Sequence, residues 1–322
     1  MKKNKQQNLL GRRRPLVKNL LLVDGISRAG KFLLTNILSG LDGIEPVQYN
    51  AVLEHVVRLR RFNLITIPAA SELLHTEVDM ACYGMLIGRN MNYRRSDKSS
   101  IFNNAKYKSY LSRLKEKDGS GVLDNFYGSG LYSLFIIHES LPNIKIFLDT
   151  FPQVKIIVIQ RSPADLVYSW YKRKLGQRIG KDPLMGEIPL KGKKGPLPWY
   201  IYDHQEEYYS LSGINRVIFS ISTLFKLYEA AYNVLSPKNK KNILFVRYED
   251  ILSEPEAVIK TLARFLGKKI LPVMKQVIKK EKLPNKKHFA LKAAKMEKIK
   301  GLAAEKYYKI IMSLEKRYFG TN

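Results

Sequence analysis

Apolar positions along this chain occur in two patterns. Short apolar runs at Leu16–Val23 (interrupted at Lys18), Leu134–Ile137, Lys155–Gln160 and Ile243–Val246 are bounded by polar, Pro or Gly positions. Such runs predict strands buried on both faces. Between them the apolar positions fall at helical spacing. Phe32, Leu33, Leu34, Ile37, Leu38 and Leu41 predict a helix that stops at Gly40–Gly43. Residues 50–90 read as helical, and Pro142–Phe151 as a helix. Ser162-Pro163-Ala164-Asp165 resembles a capping box with Pro at the first helical position, opening a helix through about Lys174. Ile218–Leu235 predicts a long helix. Ser253-Glu254-Pro255-Glu256 is expected to cap another, with Val258, Ile259, Leu262, Phe265 and Leu266 on its apolar face and Gly267 as its stop. Phe289–Tyr318 reads as one or two amphipathic basic helices. Strands alternating with helices imply an α/β fold, a central mostly parallel sheet flanked by helices.

The remaining stretches set the organisation. Residues 1–15 read as a basic flexible tail and 16–320 as a single domain without repeats. Polar segments near 92–130 and 176–198 are expected to be mobile loops. The first contains Gly119-Ser120-Gly121 and Gly128-Ser129-Gly130; the second is rich in Gly, Pro and Lys.

Composition narrows the function. The chain has 322 residues, 45% of them apolar, which allows a large core. Its single cysteine, Cys82, excludes an internal disulfide and a thiolate-rich zinc site, and is expected to be a buried inert thiol. No His, Cys, Asp or Glu cluster has metal-ligand spacing, so no metal is expected. No apolar run reaches the roughly 18 residues of a membrane span. The N-terminal apolar stretch is interrupted by Lys18 and leads into a turn, as a first strand would rather than a signal peptide. A cytoplasmic location follows as the expectation. The net charge of +28 points to anionic partners such as phosphorylated ligands, acidic glycans, acidic lipid or nucleic acid. The charge gathers at Lys2–Arg14, Lys172–Lys194 and Lys268–Lys300 rather than in one stripe, so no specific nucleic-acid partner is expected.

Two strand–turn–helix segments carry the chemistry. Gly25-Ile26-Ser27-Arg28-Ala29-Gly30-Lys31 has the spacing of a Walker A loop, whose backbone N–H groups and helix N-terminus face phosphate. The nucleotide-kinase form requires Ser or Thr after the lysine to ligate magnesium. Here the residue is Phe32. The loop therefore keeps an anion site and the cations Arg28 and Lys31 but lacks a magnesium ligand, which favours a phosphate-containing donor used without metal. The second segment ends its strand at Arg161, where open α/β sheets place ligands. Ser169 follows two helical turns later, and a phosphate could lie between the two side chains.

Together these segments resemble the PAPS-dependent sulfotransferase family. The resemblance carries onto Ser27-Arg28-Ala29-Gly30-Lys31, and more specifically onto Arg161-Ser162-Pro163-Ala164-Asp165-Leu166-Val167-Tyr168-Ser169-Trp170. A third segment, Leu244-Phe245-Val246-Arg247-Tyr248-Glu249-Asp250, looks like the family's strand and acidic turn before its late helix. It implies a P-loop NTPase-like fold and PAPS as co-substrate, with PAP as product. Gly25, Ser27, Arg28, Ala29, Gly30, Lys31 and Phe32 would surround the 5′-phosphosulfate, and Arg161 and Ser169 would bind the 3′-phosphate. Family loops usually carry small hydroxyl residues where Lys31 and Phe32 stand, so Lys31 would substitute by charge. Arg28 is expected to stabilise charge developing on the leaving phosphate.

Transfer to a hydroxyl or amine also needs a base. His138-Glu139-Ser140 resembles the family segment that supplies a catalytic His in some members, although the usual His position holds Ser140. His138 and Glu139 are joint candidates, with Glu54-His55 a second pair. Lys286, Lys287 and His288 read as a solvated basic turn. The resulting expectation is a sulfotransferase acting on a hydroxyl or amine acceptor. The charge suggests an anionic glycan or lipid-linked sugar, with peripheral attachment to an anionic membrane surface. The alternatives are a nucleotide-dependent kinase using Gly25–Lys31, a basic nucleic-acid-binding protein, or a sulfotransferase fold without catalysis.

Overall fold

The computed structural model describes residues 10–11, 14–117, 119–285 and 287–320. Most of the basic tail expected at 1–15 lies outside the described residues, as does Lys286. Five strands, β1 (Leu20–Asp24), β2 (Gln48–Tyr49), β3 (Ser133–Ile136), β4 (Lys155–Gln160) and β7 (Ile243–Arg247), form one sheet in the order β2-β3-β1-β4-β7. Every pairing is parallel, with Val23 opposite Ile136 on one side and Ile157 on the other. All five β1 residues are buried, as a central parallel strand covered on both faces requires. A separate antiparallel hairpin joins β5 (Leu190–Gly192) to β6 (Gly195–Leu197).

The principal helices are α1 (Lys31–Leu38), α2 (Ala51–Arg61), α3 (Ile67–Leu86), α4 (Pro163–Arg173), α5 (Gly213–Asn233), α6 (Pro255–Leu266), α7 (Lys292–Leu302) and α8 (Glu305–Gly320). Helices α4, α5 and α8 pack on one another, and α7 rests on α4. One hydrophobic core runs from Leu16 to Leu314 and takes in the sheet and most of these helices. The α/β class with a parallel sheet flanked by helices is the one expected.

Several boundaries differ from the expectation, each for a local reason. β1 begins at Leu20 because the N–H groups of Leu16 and Val17 donate to the Asp79 carboxylate, at 3.0 and 2.9 Å, instead of to a neighbouring strand. Ser162 caps α4 as expected, accepting from the Asp165 N–H. Ser253 does not cap α6: it ends a turn of helix at Tyr248–Ser253, and its hydroxyl donates back to the Glu249 carbonyl. Gly267 does stop α6, in the left-handed conformation (φ 62°). The 92–130 segment holds short helices at Tyr107–Leu111 and Ser120–Phe126, and Arg113 ties it to buried Glu45 at 2.6 and 2.9 Å. The 176–198 segment contains the β5–β6 hairpin.

Candidate active site

β1 ends at Asp24, which is fully buried and accepts from the N–H groups of Ser140 (3.0 Å) and Leu141 (2.7 Å) and from the Tyr228 hydroxyl (3.0 Å). Burial raises its pKa, and the backbone hydrogen bonds and the Lys31 charge oppose the rise. The loop beyond needs unusual backbone. Gly25 (φ 152°) leaves no room for a side chain, since a Cβ would lie 2.4 Å from the Ile159 carbonyl oxygen. Gly30 (φ 109°) faces the Tyr248 ring at the same distance. Arg28 adopts φ 78°, and the chain then enters α1.

Lys31 is buried, and its Nζ donates to the Gly25 carbonyl at 2.6 Å. Burial pulls its pKa down, while Glu139, Asp24 and Glu54 hold it up. The loop already receives an anion: the Ser27 N–H donates to Glu139 Oε1 at 2.5 Å. Phe32 packs half-buried against the core.

The second segment meets this loop directly. Arg161, just past the end of β4, donates from NH1 to the Arg28 carbonyl at 2.9 Å and from NH2 to Asp165 at 3.3 Å. Its guanidinium lies over the Tyr248 ring, 4.5 Å from the centroid. Arg28 Nε donates to the Ser169 hydroxyl at 3.3 Å, and the Trp170 indole N–H to the Ser27 carbonyl at 2.8 Å. A cavity of about 440 Å³ opens here, lined by Arg28, Arg161, Ser169, Lys172, Arg173 and Lys295 among others. Its one lining carboxylate, Asp165, is held by Arg161 and by Lys295 at 2.5 Å. Burial lowers the Arg28 pKa, and the charges of Arg173 and Arg161 lower it further. Crowded cations of this kind favour a bound polyanion.

On the other side of the loop, His138 follows β3. Its ring Nδ1 and its backbone N–H both meet Glu54 Oε1, at 2.8 and 2.9 Å. Burial, then the nearby Lys31 charge, push the imidazole down to about 3. The ring is therefore neutral, with its Nδ1–H donated to the carboxylate and the Nε2 lone pair free for a proton. It remains 29% exposed and stands edge-on to Tyr49. Arg58, one turn after Glu54, donates to Glu54 Oε2 and to the His138 carbonyl, each at 3.3 Å. Burial works against the Arg58 charge, but Glu187, Glu54 and Glu139 together raise its pKa.

Glu187 reaches this group from the 176–198 segment, which His55 fastens through a 2.5 Å contact to the Gly186 carbonyl. Burial pushes its carboxyl up to about 7, against the pull of Arg58. Glu187 Oε1 and Arg58 NH1 are both buried without a hydrogen-bond partner.

The structure thus brings together Gly25, Ser27, Arg28, Ala29, Gly30, Lys31, Arg161 and Ser169 around one loop, with His138 and Glu139 on its far side. Ser140 faces away, its N–H on Asp24 and its hydroxyl on the His138 carbonyl. His204 packs edge-on against Phe219, apart from the site. Sequence reasoning missed Asp24, Arg58, Glu187, Trp170 and Lys295. A charged residue closing an apolar strand, and the i,i+4 pair Glu54–Arg58, were signals that could have found the first two. No group of three or more His, Cys, Asp or Glu among the described residues is placed to hold a metal ion.

A parallel sheet with a glycine-bounded anion loop after its central strand, and a basic pocket beside it, defines an α/β protein that binds phosphate-bearing ligands. A family model described as the sulfotransferase domain matches residues 138–313, more than half of the chain. The chain belongs to the sulfotransferase domain family, and its class is that of the sulfotransferases read from the sequence.

Among solved structures it is similar to the sulfotransferase domain of the curacin biosynthetic pathway, with 14% identity over 81% of this chain and 78% of that one (TM-score 0.43). It is also similar to a Mycobacterium tuberculosis sulfotransferase, with 11% identity over 82% and 71% (TM-score 0.40). A mouse sulfotransferase solved with PAP matches at 13% over 82% and 65% (TM-score 0.33). No curated protein matches the chain.

Proposed function

We propose that the chain transfers a sulfuryl group from PAPS to an acceptor hydroxyl or amine and releases PAP. The observation that carries this is the meeting of the two phosphate elements: Arg28 of the loop touches Ser169, and Arg161 touches Arg28, over one cavity of cations. Arg161, Ser169 and the surrounding Lys172, Arg173 and Lys295 would hold the 3′-phosphate. The loop N–H groups, Arg28 and Lys31 would hold the 5′-phosphosulfate. For this Lys31 turns from the Gly25 carbonyl toward the anion, and Glu139 gives up the Ser27 N–H. PAPS supplies the sulfuryl group, whose bond to the phosphate oxygen breaks as the acceptor's bond to sulfur forms. Arg28 and Lys31 stabilise charge arriving on the departing phosphate. His138 Nε2 takes the acceptor proton, with the ring held at Nδ1 by Glu54 and its basicity raised from the ligand-free value as the bound donor's negative charge offsets that of Lys31.

Of the two candidate bases this geometry favours His138, because its ring is partly exposed with Nε2 unengaged, whereas the Glu139 side chain is buried. The reacting group of the acceptor would sit among Glu54, Glu139 and Glu187, which disfavour an anion there, so it is a hydroxyl or an amine. Acidic parts of a larger glycan or lipid-linked sugar would lie outside, on the basic surface that gives the chain its +28 charge. The same surface would hold a cytoplasmic enzyme against an anionic membrane. No helix among the described residues is long and apolar enough to cross one.

The test is calorimetric titration with PAP at moderate salt, beside ATP with magnesium. Saturable PAP binding that Arg161→Ala weakens at least about tenfold supports the reading. A folded protein that binds ATP with magnesium and ignores PAP overturns it.

A further inference from the structure

A second cavity, larger than the cation pocket, adjoins it at Arg161, which lines both. It measures about 640 Å³, within the range of small-molecule sites, and lies between α5, the β7 edge of the sheet and α8. Its walls are mostly apolar or aromatic: Phe225, Tyr228 and Tyr232 of α5, Phe245 of β7, and Leu314 and Tyr318 of α8. Ile26 and Ala29 of the phosphate loop and Arg161 also line it; of the side chains just named, only Tyr228 serves the site already described, where it braces Asp24.

Three arginines line this apolar space: Arg161, Arg247 and Arg317. Their charge is answered in the lining by one carboxylate, Glu229, which stands 3.5 Å from Arg317. Arg161 and Arg247 each keep a buried Nε–H with no hydrogen-bond acceptor. That Arg247 Nε does stand 3.3 Å from Asp250 Oδ1, as an ion pair without hydrogen-bond geometry, and the guanidinium otherwise lies against the Tyr318 and Phe319 rings. Buried donors without an acceptor are costly, and native structures seldom leave them so. An apolar chamber with two such donors is complementary to an apolar body carrying an anionic head.

We propose that this cavity is a second ligand site, and that it takes an amphipathic anion whose apolar body fills the space between α5 and α8 and whose carboxylate, sulfate or phosphate head meets Arg247 and Arg161. A small monoanion with a chain or ring system of about a dozen carbons has the required size and polarity. PAP, with its several charges and polar ribose, does not.

Dodecanoate tests this, with dodecanol and dodecyltrimethylammonium as controls below their aggregation concentrations, each titrated calorimetrically into the full chain. The expected result is saturable one-to-one binding of dodecanoate, at least tenfold tighter than dodecanol, with no binding of the cation. Arg247→Gln should weaken dodecanoate about tenfold and leave dodecanol unchanged. Leu314→Trp, which fills the chamber, should abolish both. A PAP titration of each variant keeps this question apart from the donor site, and it should be unaltered. Failure of wild-type protein to bind dodecanoate, equal affinity for dodecanol, or indifference to both substitutions overturns the proposal.

Discussion

Glu54 grips His138 twice through a single oxygen: Oε1 accepts from the backbone N–H at 2.9 Å and from ring Nδ1 at 2.8 Å. The two residues lie 84 positions apart, on α2 and just after β3. This fixes both the ring's orientation and its tautomer. His138→Gln should lower sulfuryl transfer by about 100- to 10,000-fold, the usual worth of a positioned base. Its PAP affinity should stay within about twofold of wild type, because the ring does not touch the donor pocket. Glu54→Gln keeps the shape but loses the charge, and should cost less. Turnover measured beside PAP calorimetry separates these effects; a His138→Gln enzyme of unchanged turnover would remove His138 from its role.

Arg161 and Ser169 should differ in weight. Arg161 is charged and planar, and replacing it by Ala should cost about 1.5–3 kcal/mol of PAP binding, or roughly 10- to 150-fold in Kd. Ser169 offers one neutral hydrogen bond, so Ser169→Ala should cost about 1 kcal/mol, roughly fivefold. Raising salt should weaken PAP in wild type and less steeply in Arg161→Ala, since one cation has been removed.

Asp24 should matter to stability more than any residue that touches the ligand. It answers two buried N–H groups and a buried hydroxyl. Asp24→Ala leaves all three without an acceptor, at about 1–3 kcal/mol each before relaxation. Chemical denaturation should show a loss of at least about 3 kcal/mol. Asp24→Asn, which keeps one acceptor oxygen, should lose less. An unchanged midpoint for Asp24→Ala would mean that water replaces the carboxylate freely.

How much of this was legible in the chain depends on distance along it. The β1–loop–α1 element was readable because its signals are local: an apolar run, two glycines five apart and a helical repeat beginning at Phe32. The same holds for Ser162 capping α4, and for Arg161 at its strand end. What escaped was assembled by the sheet. Parallel pairing of β1 with β3 sets the end of β3 beside the phosphate loop, which is how Glu139 reaches Ser27 and how His138 comes under α2. No spacing within the sequence encodes that meeting. Glu187 was hidden for another reason. It sits in a stretch of Gly, Pro and Lys whose composition reads as solvent-exposed, and only the fold shows it turned inward toward Arg58. The expected start of β1 at Leu16 failed because apolarity alone does not reveal that Asp79 captures the N–H groups of Leu16 and Val17.

Glu187 also makes the 176–198 segment sensitive to pH. Its carboxyl is pushed up to about 7 from an ordinary value of 4.5, chiefly by burial. Between those values the closed state holds the proton more firmly than the open or unfolded chain does. Closure is therefore unpenalised below about pH 4.5 and loses stability as pH rises toward 7, by at most about 3 kcal/mol. Above pH 7 the buried carboxylate is ionised and has only Arg58 to offset it, so the segment should open more often. The lysines at 181, 191, 193 and 194 make this measurable by limited trypsin digestion. The ratio of cleavage rates for wild type over Glu187→Gln, taken at each pH, cancels the protease's own pH dependence. That ratio should already exceed one at pH 5.5, a unit above the ordinary carboxyl value, and rise at least about tenfold further by pH 8. A ratio flat across this range would show that the Glu187 carboxyl does not titrate between the closed and open states, and would detach it from the closure of the site.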